Sequence, residues 1–209
     1  MTEKKPDRRK ERTFQMLSGA LLELLKERDY PNITIQDIAD RANVSRATFY
    51  LHFKDKDELL FKSMERIYDQ LSAEYPPVTR DEFINKTYTH NMDNSQSEYT
   101  HVAANAEFYK AMFGTHGSPQ FMQMVRAYLE NVTREHVLKP LAPQDGKTLL
   151  PLDFIAAFTA GAEIGVINWW LDNDLQYSPE QINQMMTSMC MFGMAWALKL
   201  PVDPNDIPT

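Results

Sequence analysis

TIQDIADRANVSRATFYLHFKDKDELL, residues 34–60, sets two short apolar runs on either side of Asn43 and follows them with Arg46, Thr48, Tyr50 and Lys56. Ile35, Ile38, Ala39 and Ala42 recur at helical spacing before Asn43, and Val44, Phe49 and Phe53 do so after it. Thr34 can cap the first helix, with Asp37 three residues on as an imperfect capping-box partner. Asn43 stands where a sharp turn needs a residue that tolerates the left-handed region. Ser45 is a strong N-cap for the second helix. Two short helices joined by a tight turn make a helix-turn-helix, whose second helix enters the DNA major groove with its N-terminal residues facing base edges.

With Phe49 and Phe53 inside, that second helix offers Arg46, Ala47, Thr48 and Tyr50 to its surroundings, with Ser45 at its start. Arg46 suits a guanine, and Ala47 or the Thr48 methyl suits a thymine methyl. Thr34, Tyr50, His52 and Lys56 suit phosphates, Lys56 lying at a helix N-terminus. The competing reading is a small core that never meets DNA, with Tyr50 capping it.

The rest of the chain reads as helix. From about Arg9 to Arg28, Phe14, Leu17, Leu21, Leu24 and Leu25 line one face, and Pro31 forbids continuation. After a cap at Asp55, Leu59, Leu60, Met64, Ile67, Tyr68 and Leu71 keep helical spacing up to Pro76 and Pro77. Further helices are predicted near 80–93, 97–114, 119–138, 152–173 and 179–199, separated by Gly and Pro punctuation, with no alternating strand pattern. The expectation is an all-α chain: a three-helix helix-turn-helix DNA-binding domain with its basic arm over 1–55, a helical-bundle domain for dimerisation and effector binding over 56–200, and a loose tail over 201–209.

Charge is divided along the same line. Of 22 Lys and Arg and 29 Asp and Glu, residues 1–62 hold 13 and 11, and the remainder 9 and 18. The arm KKPDRRKER, residues 4–12, has six basic side chains against two acidic ones. A basic first part and an acidic second part imply different partners. MTEKKPDRRKER is followed by no apolar signal run, so a cytoplasmic protein is expected. LDFIAAFTAGAEIGVINWWL, residues 152–171, approaches membrane length, but Asp153, Glu163 and Asn168 interrupt it and favour a buried bundle helix. The lone Cys190 reads as core. The five histidines lack metal-ligand spacing, so no metal or other cofactor is expected. There is no nucleophile elbow or phosphate-binding glycine loop, which argues against an enzyme.

The stretch 34–60 closely resembles the DNA-binding domain of the tetracycline-repressor (TetR) family of bacterial transcription regulators. The resemblance covers about residues 8–60: the threonine before the second helix, I-A-x-x-A, V-S after the turn, T-F-Y-x-H-F and K-x-x-L. Asn43 departs from the glycine usual there. The resemblance implies phosphate contacts from Thr34, Tyr50 and Lys56 and base contacts from Arg46, Ala47 and Thr48. FTAGAEIGVINWWLDNDLQYSPEQI, residues 158–182, looks like the C-terminal domain of members from low-GC Gram-positive bacteria.

The family resemblance also implies a homodimer built by the last two long helices, and a small-molecule effector inside the bundle. Ala157, Gly161 and Gly165 fall on one face where small side chains allow close approach, and Ile182, Met185, Met186, Met189, Gly193 and Trp196 form an apolar stripe. Both stripes would equally suit the core of a monomer. Tyr88, Phe108, Tyr109, Met112, Tyr128, Asn168 and Trp169 are candidates for an effector pocket, as aromatic or polar groups in apolar helices. Glu163, amid AGAEIGVI, should not be buried without a partner, so a contact across the dimer or a cationic ligand is expected. The expected function is a dimeric regulator, a repressor that a small molecule releases from a palindromic operator. The alternative is a protein-interaction module of the same fold that leaves DNA to others.

Overall fold

A computed structural model of the chain describes residues 8–73, 77–85, 91–113 and 118–201. The helices are α1 (Arg8–Glu27), α2 (Ile35–Arg41), α3 (Arg46–Tyr50), α4 (Lys56–Ala73), α5 (Arg80–Ile84), α6 (Asn91–Ala104), α7 (Ala106–Phe113), α8 (Pro119–Val132), α9 (Lys139–Leu141), α10 (Leu152–Asp172) and α11 (Pro179–Ala197). A 3-10 turn covers Tyr30–Asn32, and a π-helical stretch, Thr133–Leu138, joins α8 to α9. The described residues contain no β-strand, as the sequence patterns require.

Two compact units form. The first spans Met1–Arg66 with Glu107–Gln123, and the second Ile67–Ala106 with Met124–Thr209. The first half of α4 groups with the N-terminal helices, and its Leu59, Leu60 and Met64 are buried.

In the first unit, Leu17, Leu21 and Leu24 of α1 are buried together with Ile38, Ala39, Phe49 and Phe53. Phe53 meets both Phe14 and Phe49 with ring centroids 5.8 Å apart. Polar links fix the helices around this apolar centre. Arg41 of α2 reaches Glu27 of α1 through two bonds of 2.8 and 2.7 Å, the bidentate geometry that guanidinium and carboxylate favour. Arg66 of α4 lies over the Phe14 ring at 3.6 Å while it bonds Glu11 at 2.6 Å.

In the second unit, Leu138, Leu141, Ile155, Ala156, Ala195, Ala197, Leu198 and Leu200 form a buried cluster at the far end of α11. The Arg80 guanidinium holds it from α5, donating to the carbonyls of Leu141 (2.9 Å), Leu198 (3.0 Å) and Lys199 (3.0 Å). These carbonyls lie at helix ends, where no helical amide reaches them. α10 is long and apolar enough to cross a membrane, but its two sides differ. Ile155, Ala156, Ala160, Ile167, Trp170 and Leu171 are buried, whereas Phe154, Phe158, Gly161, Gly165 and Trp169 are exposed. The expected bundle helix is thus buried along one side.

Three predicted helices are divided in the structure. The span expected as 80–93 begins with a Thr79–Glu82 capping box but stops at Asn85, and 97–114 breaks at Asn105. In both places the asparagine amide donates to the carbonyl four residues back, Asp81 at 2.8 Å and His101 at 2.9 Å, so the side chain competes with the helical ladder. The span 119–138 widens to the π form directly before Pro140, whose ring nitrogen cannot donate to a carbonyl one turn back. Most of the expected tail, residues 202–209, lies outside the described residues.

Arg80→Ala is expected to lower stability by about 2 kcal/mol, because three helix-end carbonyls lose a charged donor, and Arg80→Lys to restore only part of it. Urea unfolding of the three proteins measures this, and unchanged midpoints would refute the role given to Arg80.

Candidate nucleic-acid interface

The turn between α2 and α3 is built by three local devices. Thr34 caps α2 in a complete capping box: its hydroxyl oxygen accepts from the Asp37 amide (3.1 Å), and Asp37 Oδ2 accepts from the Thr34 amide (2.8 Å) and hydroxyl (2.6 Å). Asn43 takes a φ of 52°, the left-handed conformation anticipated from its residue type. Ser45 caps α3, accepting from the Thr48 amide at 3.0 Å, with its hydroxyl 2.8 Å from that of Thr48. Burial of Phe49 then orients the short helix so that Arg46, Ala47 and Tyr50 face outward.

Arg46 and Tyr50 act together on this surface. An Arg46 Nη2 donates to the Tyr50 hydroxyl at 3.3 Å, and its guanidinium carbon stands 5.6 Å from the ring centroid. Both side chains are exposed, so this long contact is easily exchanged for contacts to a base or phosphate. Thr48 is half-buried and shares its hydroxyl with Ser45, leaving its methyl as the part suited to a thymine.

Several residues expected at phosphates have other partners. The Lys56 ammonium donates to the carbonyls of Tyr30 (2.7 Å) and Ile33 (2.7 Å), reaches Pro31 at 3.4 Å, and lies 4.3 Å from the Tyr30 ring centroid. Burial pulls its pKa below that of an ordinary lysine, with Asp57 opposing the shift. Through these bonds the side chain ties the start of α4 to the turn before α2. The Tyr30 hydroxyl completes the tie by donating to Asp57 Oδ1 at 2.7 Å, and its own pKa is raised, first by burial and then by that bond. The Thr34 hydroxyl is engaged within its capping box. His52 is half-buried, with its ring 6.2 Å from that of Phe53, and packs the turn.

Two exposed residues beside α3 were not anticipated. Leu51 is 84% exposed at the end of the helix. Lys54 follows, its ammonium only loosely paired with Asp55 at 3.8 Å. A leucine within T-F-Y-x-H-F reads as core, and Lys54 lies one residue beyond the motif, so neither carried a distinct signal. Residues 1–7, which hold the start of the basic arm, lie outside the described residues.

The other expected sites are dispersed. Of the effector candidates, Phe108, Tyr109 and Met112 belong to the first unit, where Tyr109 and Met112 are buried and the Phe108, Tyr109 and Phe113 rings meet edge to face. Tyr128 belongs to the second unit and donates its hydroxyl to Asp69 at 2.7 Å. Asn168 is half-buried, while Trp169 is exposed and stacks on Tyr177 with centroids 5.9 Å apart. An interior role for Trp169 is thus corrected: Trp170 is the buried one, its indole N–H donating to the Tyr177 carbonyl at 2.9 Å. Tyr88 lies outside the described residues. Of the dimer candidates, Gly161, Gly165, Met185, Met189, Gly193 and Trp196 are exposed. Met186 is half-buried 4.0 Å from the Cys190 thiol, and Ile182 is 1% exposed. Ile182 is corrected to the protomer core. It falls on nearly the same helix face as Met189, but that face is enclosed in the first turn of α11 and open further along.

Residues 19–62 match the family described as "Bacterial regulatory proteins, tetR family", and residues 93–191 match one described as "Transcriptional regulator C-terminal region". An uncharacterized HTH-type transcriptional regulator of Bacillus subtilis, YxbF, is 48% identical over 65 residues, 31% of this chain and 17% of the relative. The HTH-type transcriptional regulator HbdR of Aromatoleum is 38% identical over 66 residues, 32% of this chain and 28% of the relative. These matches thus cover less than a third of the relatives' own length. Among solved structures, a TetR transcriptional regulator from Streptococcus agalactiae aligns over 88% of this chain and 96% of its own, with 24% identity and a TM-score of 0.57. FadR of Thermus thermophilus, solved with lauroyl-CoA, aligns over 94% and 99%, with 18% identity and a TM-score of 0.62. These likenesses concern the fold.

Lys54→Ala is expected to reduce the salt slope of DNA binding by about one while leaving the melting temperature unchanged. Lys56→Met is expected to lower the melting temperature, because three carbonyls lose a charged donor. A salt titration and a thermal melt of each variant separate the two roles, and the reverse pattern would refute the assignment.

Proposed function

We propose that this chain, which belongs to the tetracycline-repressor family of bacterial transcription regulators, is a cytoplasmic homodimeric repressor that a small molecule releases from a palindromic operator. The observation that carries the reading is the outward presentation of Arg46, Ala47 and Tyr50 on a helix whose start is fixed by the Ser45 cap and the Asn43 turn. A short helix exposing arginine and tyrosine beside an exposed lysine is suited to base edges and phosphates together.

Dimerisation is supported by an apolar surface that a lone protomer would leave wet. Phe154 and Phe158 of α10 and Met185, Met189 and Trp196 of α11 are exposed, Phe158 at 64%, Met189 at 80% and Trp196 at 61%. Gly161, Gly165 and Gly193 continue the same helix faces, and a Cβ built on any of them meets nothing within 4 Å of the protomer. Large side chains alternating with glycines on neighbouring helices favour close packing against a second copy. Two-fold partners read two half-sites at least one helical turn apart, which makes a palindrome the expected operator.

An effector acts only if it binds the DNA-incompetent arrangement more tightly than the competent one. The second unit is the proposed seat, since structural neighbours are described with small molecules: lauroyl-CoA in the Thermus thermophilus FadR, and resorcinol in RolR.

Selection from a random duplex pool with the purified protein tests the reading. The expected product is a palindrome bound with a steep salt dependence, and Arg46→Ala with Tyr50→Ala is expected to lose it. Enrichment of no site would favour a protein-interaction module instead. Phe158→Asp with Met189→Asp is expected to give a monomer in analytical ultracentrifugation and to abolish operator binding; a dimer that survives both charges would sink the proposed interface.

A further inference from the structure

The direction of each side chain on α3 is set by Phe49, whose fully buried ring defines the inward side of the helix. The Leu51 amide donates to the Ala47 carbonyl at 3.1 Å, and Leu51 keeps helical backbone angles (φ -71°, ψ -18°). Helical phase therefore holds from Arg46 to Leu51. Successive residues of a helix turn by about 100°. Measured from Phe49, Ala47 and Leu51 stand at about 160° to either side, each within roughly 20° of the outermost line of the helix. Arg46 and Tyr50 fall on one flank, at about 60° and 100°, and Thr48 falls on the other at about 100°.

Exposure follows these angles. Leu51 is 84% exposed and Tyr50 48%, while Thr48 is half-buried. Leu51 is thus barer than Met189 at 80% or Phe158 at 64%, the residues that stand out most on the face assigned to dimerisation. The outermost line of the reading helix is apolar, with a short side chain at Ala47 and a long one at Leu51. From Arg46 to Leu51 the helix advances by about 7.5 Å, less than the roughly 12 Å width of the major groove. Its last residue can therefore stand inside the groove with its first.

Leucine carries neither donor nor acceptor, so it serves no phosphate and no polar base edge. The apolar group that base pairs offer in the major groove is the C5-methyl of thymine. Against the amino group of cytosine or adenine, or O6 of guanine, the same side chain displaces water and returns no hydrogen bond, which costs free energy. A leucine at this place favours thymine and disfavours the alternatives, so discrimination draws on both signs.

A single exposed leucine on an arbitrary surface means little. The position of this one is what gives it an occupant. Arg46 and Tyr50 stand on its flank, and the loosely paired ammonium of Lys54 lies one turn further along. A protein seated on Leu51 would cover Arg46 and Tyr50 as well, whereas a base edge leaves both free to act beside it.

We propose that Leu51 is a specificity-determining residue of the operator contact, packing on the C5-methyl of one thymine in each half-site. This rests on the reading of α3 as the DNA-contacting helix and adds a base to what that helix recognises. The contact is uncharged, so it contributes to affinity and to sequence preference without adding to the release of counterions from DNA. Leu51 and Lys54 are neighbours with opposite signatures: the first sets sequence preference, the second salt dependence.

The duplex that the full chain selects from a random pool serves as the probe. Thymines are replaced by uracil one symmetric pair at a time, which removes the methyl group and leaves the pairing hydrogen bonds in place. The unsubstituted protein is expected to lose about fourfold in affinity per half-site at the thymine under Leu51. Leu51→Ala is expected to bind the thymine duplex more weakly and to be indifferent to uracil at that position, while its response at other thymines, its salt slope and its melting temperature stay unchanged. Leu51→Asn is expected to shift the base selected there away from thymine when the pool selection is repeated.

A uracil response that Leu51→Ala leaves intact at every thymine would overturn the role of Leu51 and leave the DNA reading standing. So would a Leu51→Ala protein with unchanged affinity and selected sequence. A reduced salt slope or a lowered melting temperature in that variant would overturn it too, since the side chain would then act on phosphates or on the fold. If the unsubstituted protein enriches no duplex, the DNA reading falls and this inference with it.

Discussion

The placing of the recognition helix depends on the Lys56 ammonium. The chain around the 3-10 turn at Tyr30–Asn32 brings the carbonyls of Tyr30 and Ile33 to one point, and a single cation bonds both. Because Lys56 begins α4 while Tyr30 and Ile33 precede α2, this contact closes a loop of chain that contains both helices of the DNA-reading pair. The Tyr30–Asp57 hydrogen bond closes it a second time. Neither contact is an exposed ion pair of the kind that contributes little, since the ammonium is partly withdrawn from water and lies over an aromatic ring. α3 has five residues, too few to be stable as an isolated helix, so it takes its position from Phe49 beneath it and from this closure around it.

The local grammar of that region is legible in the sequence itself. Thr34, Asn43 and Ser45 each announce a backbone geometry through their side-chain chemistry, and each adopts it. Asp37, though shorter than glutamate, completes the capping box, because the Thr34 hydroxyl turns to donate to the same oxygen that receives the amide. What remained hidden were roles that depend on residues distant in sequence. Lys56 stands at a helix start, and nothing near it in sequence announces its bond to the carbonyl of Tyr30, 26 residues earlier. Trp169 and Trp170 are indistinguishable by composition, and helical phase alone decides that one stacks on the surface and the other is enclosed. Ile182 and Met189 fall on nearly one face of α11, so periodicity gives them one role, and only burial separates the part that closes the protomer from the part left exposed. Asn85 and Asn105 end helices that apolar periodicity would have continued, because periodicity does not register a side chain that bonds back to its own backbone.

Charge is segregated for comparable reasons. A net excess of basic groups up to residue 62 suits phosphates, while the acidic remainder would repel DNA. Most of that acidity is ordinary solvated surface. Glu135 and Glu82, for example, have lowered pKa values because local donors serve them: Lys139 for Glu135, and the Thr79 amide and hydroxyl for Glu82. Glu98 and Glu163 are shifted in the opposite direction, and that contrast separates them from the general acidity of the domain.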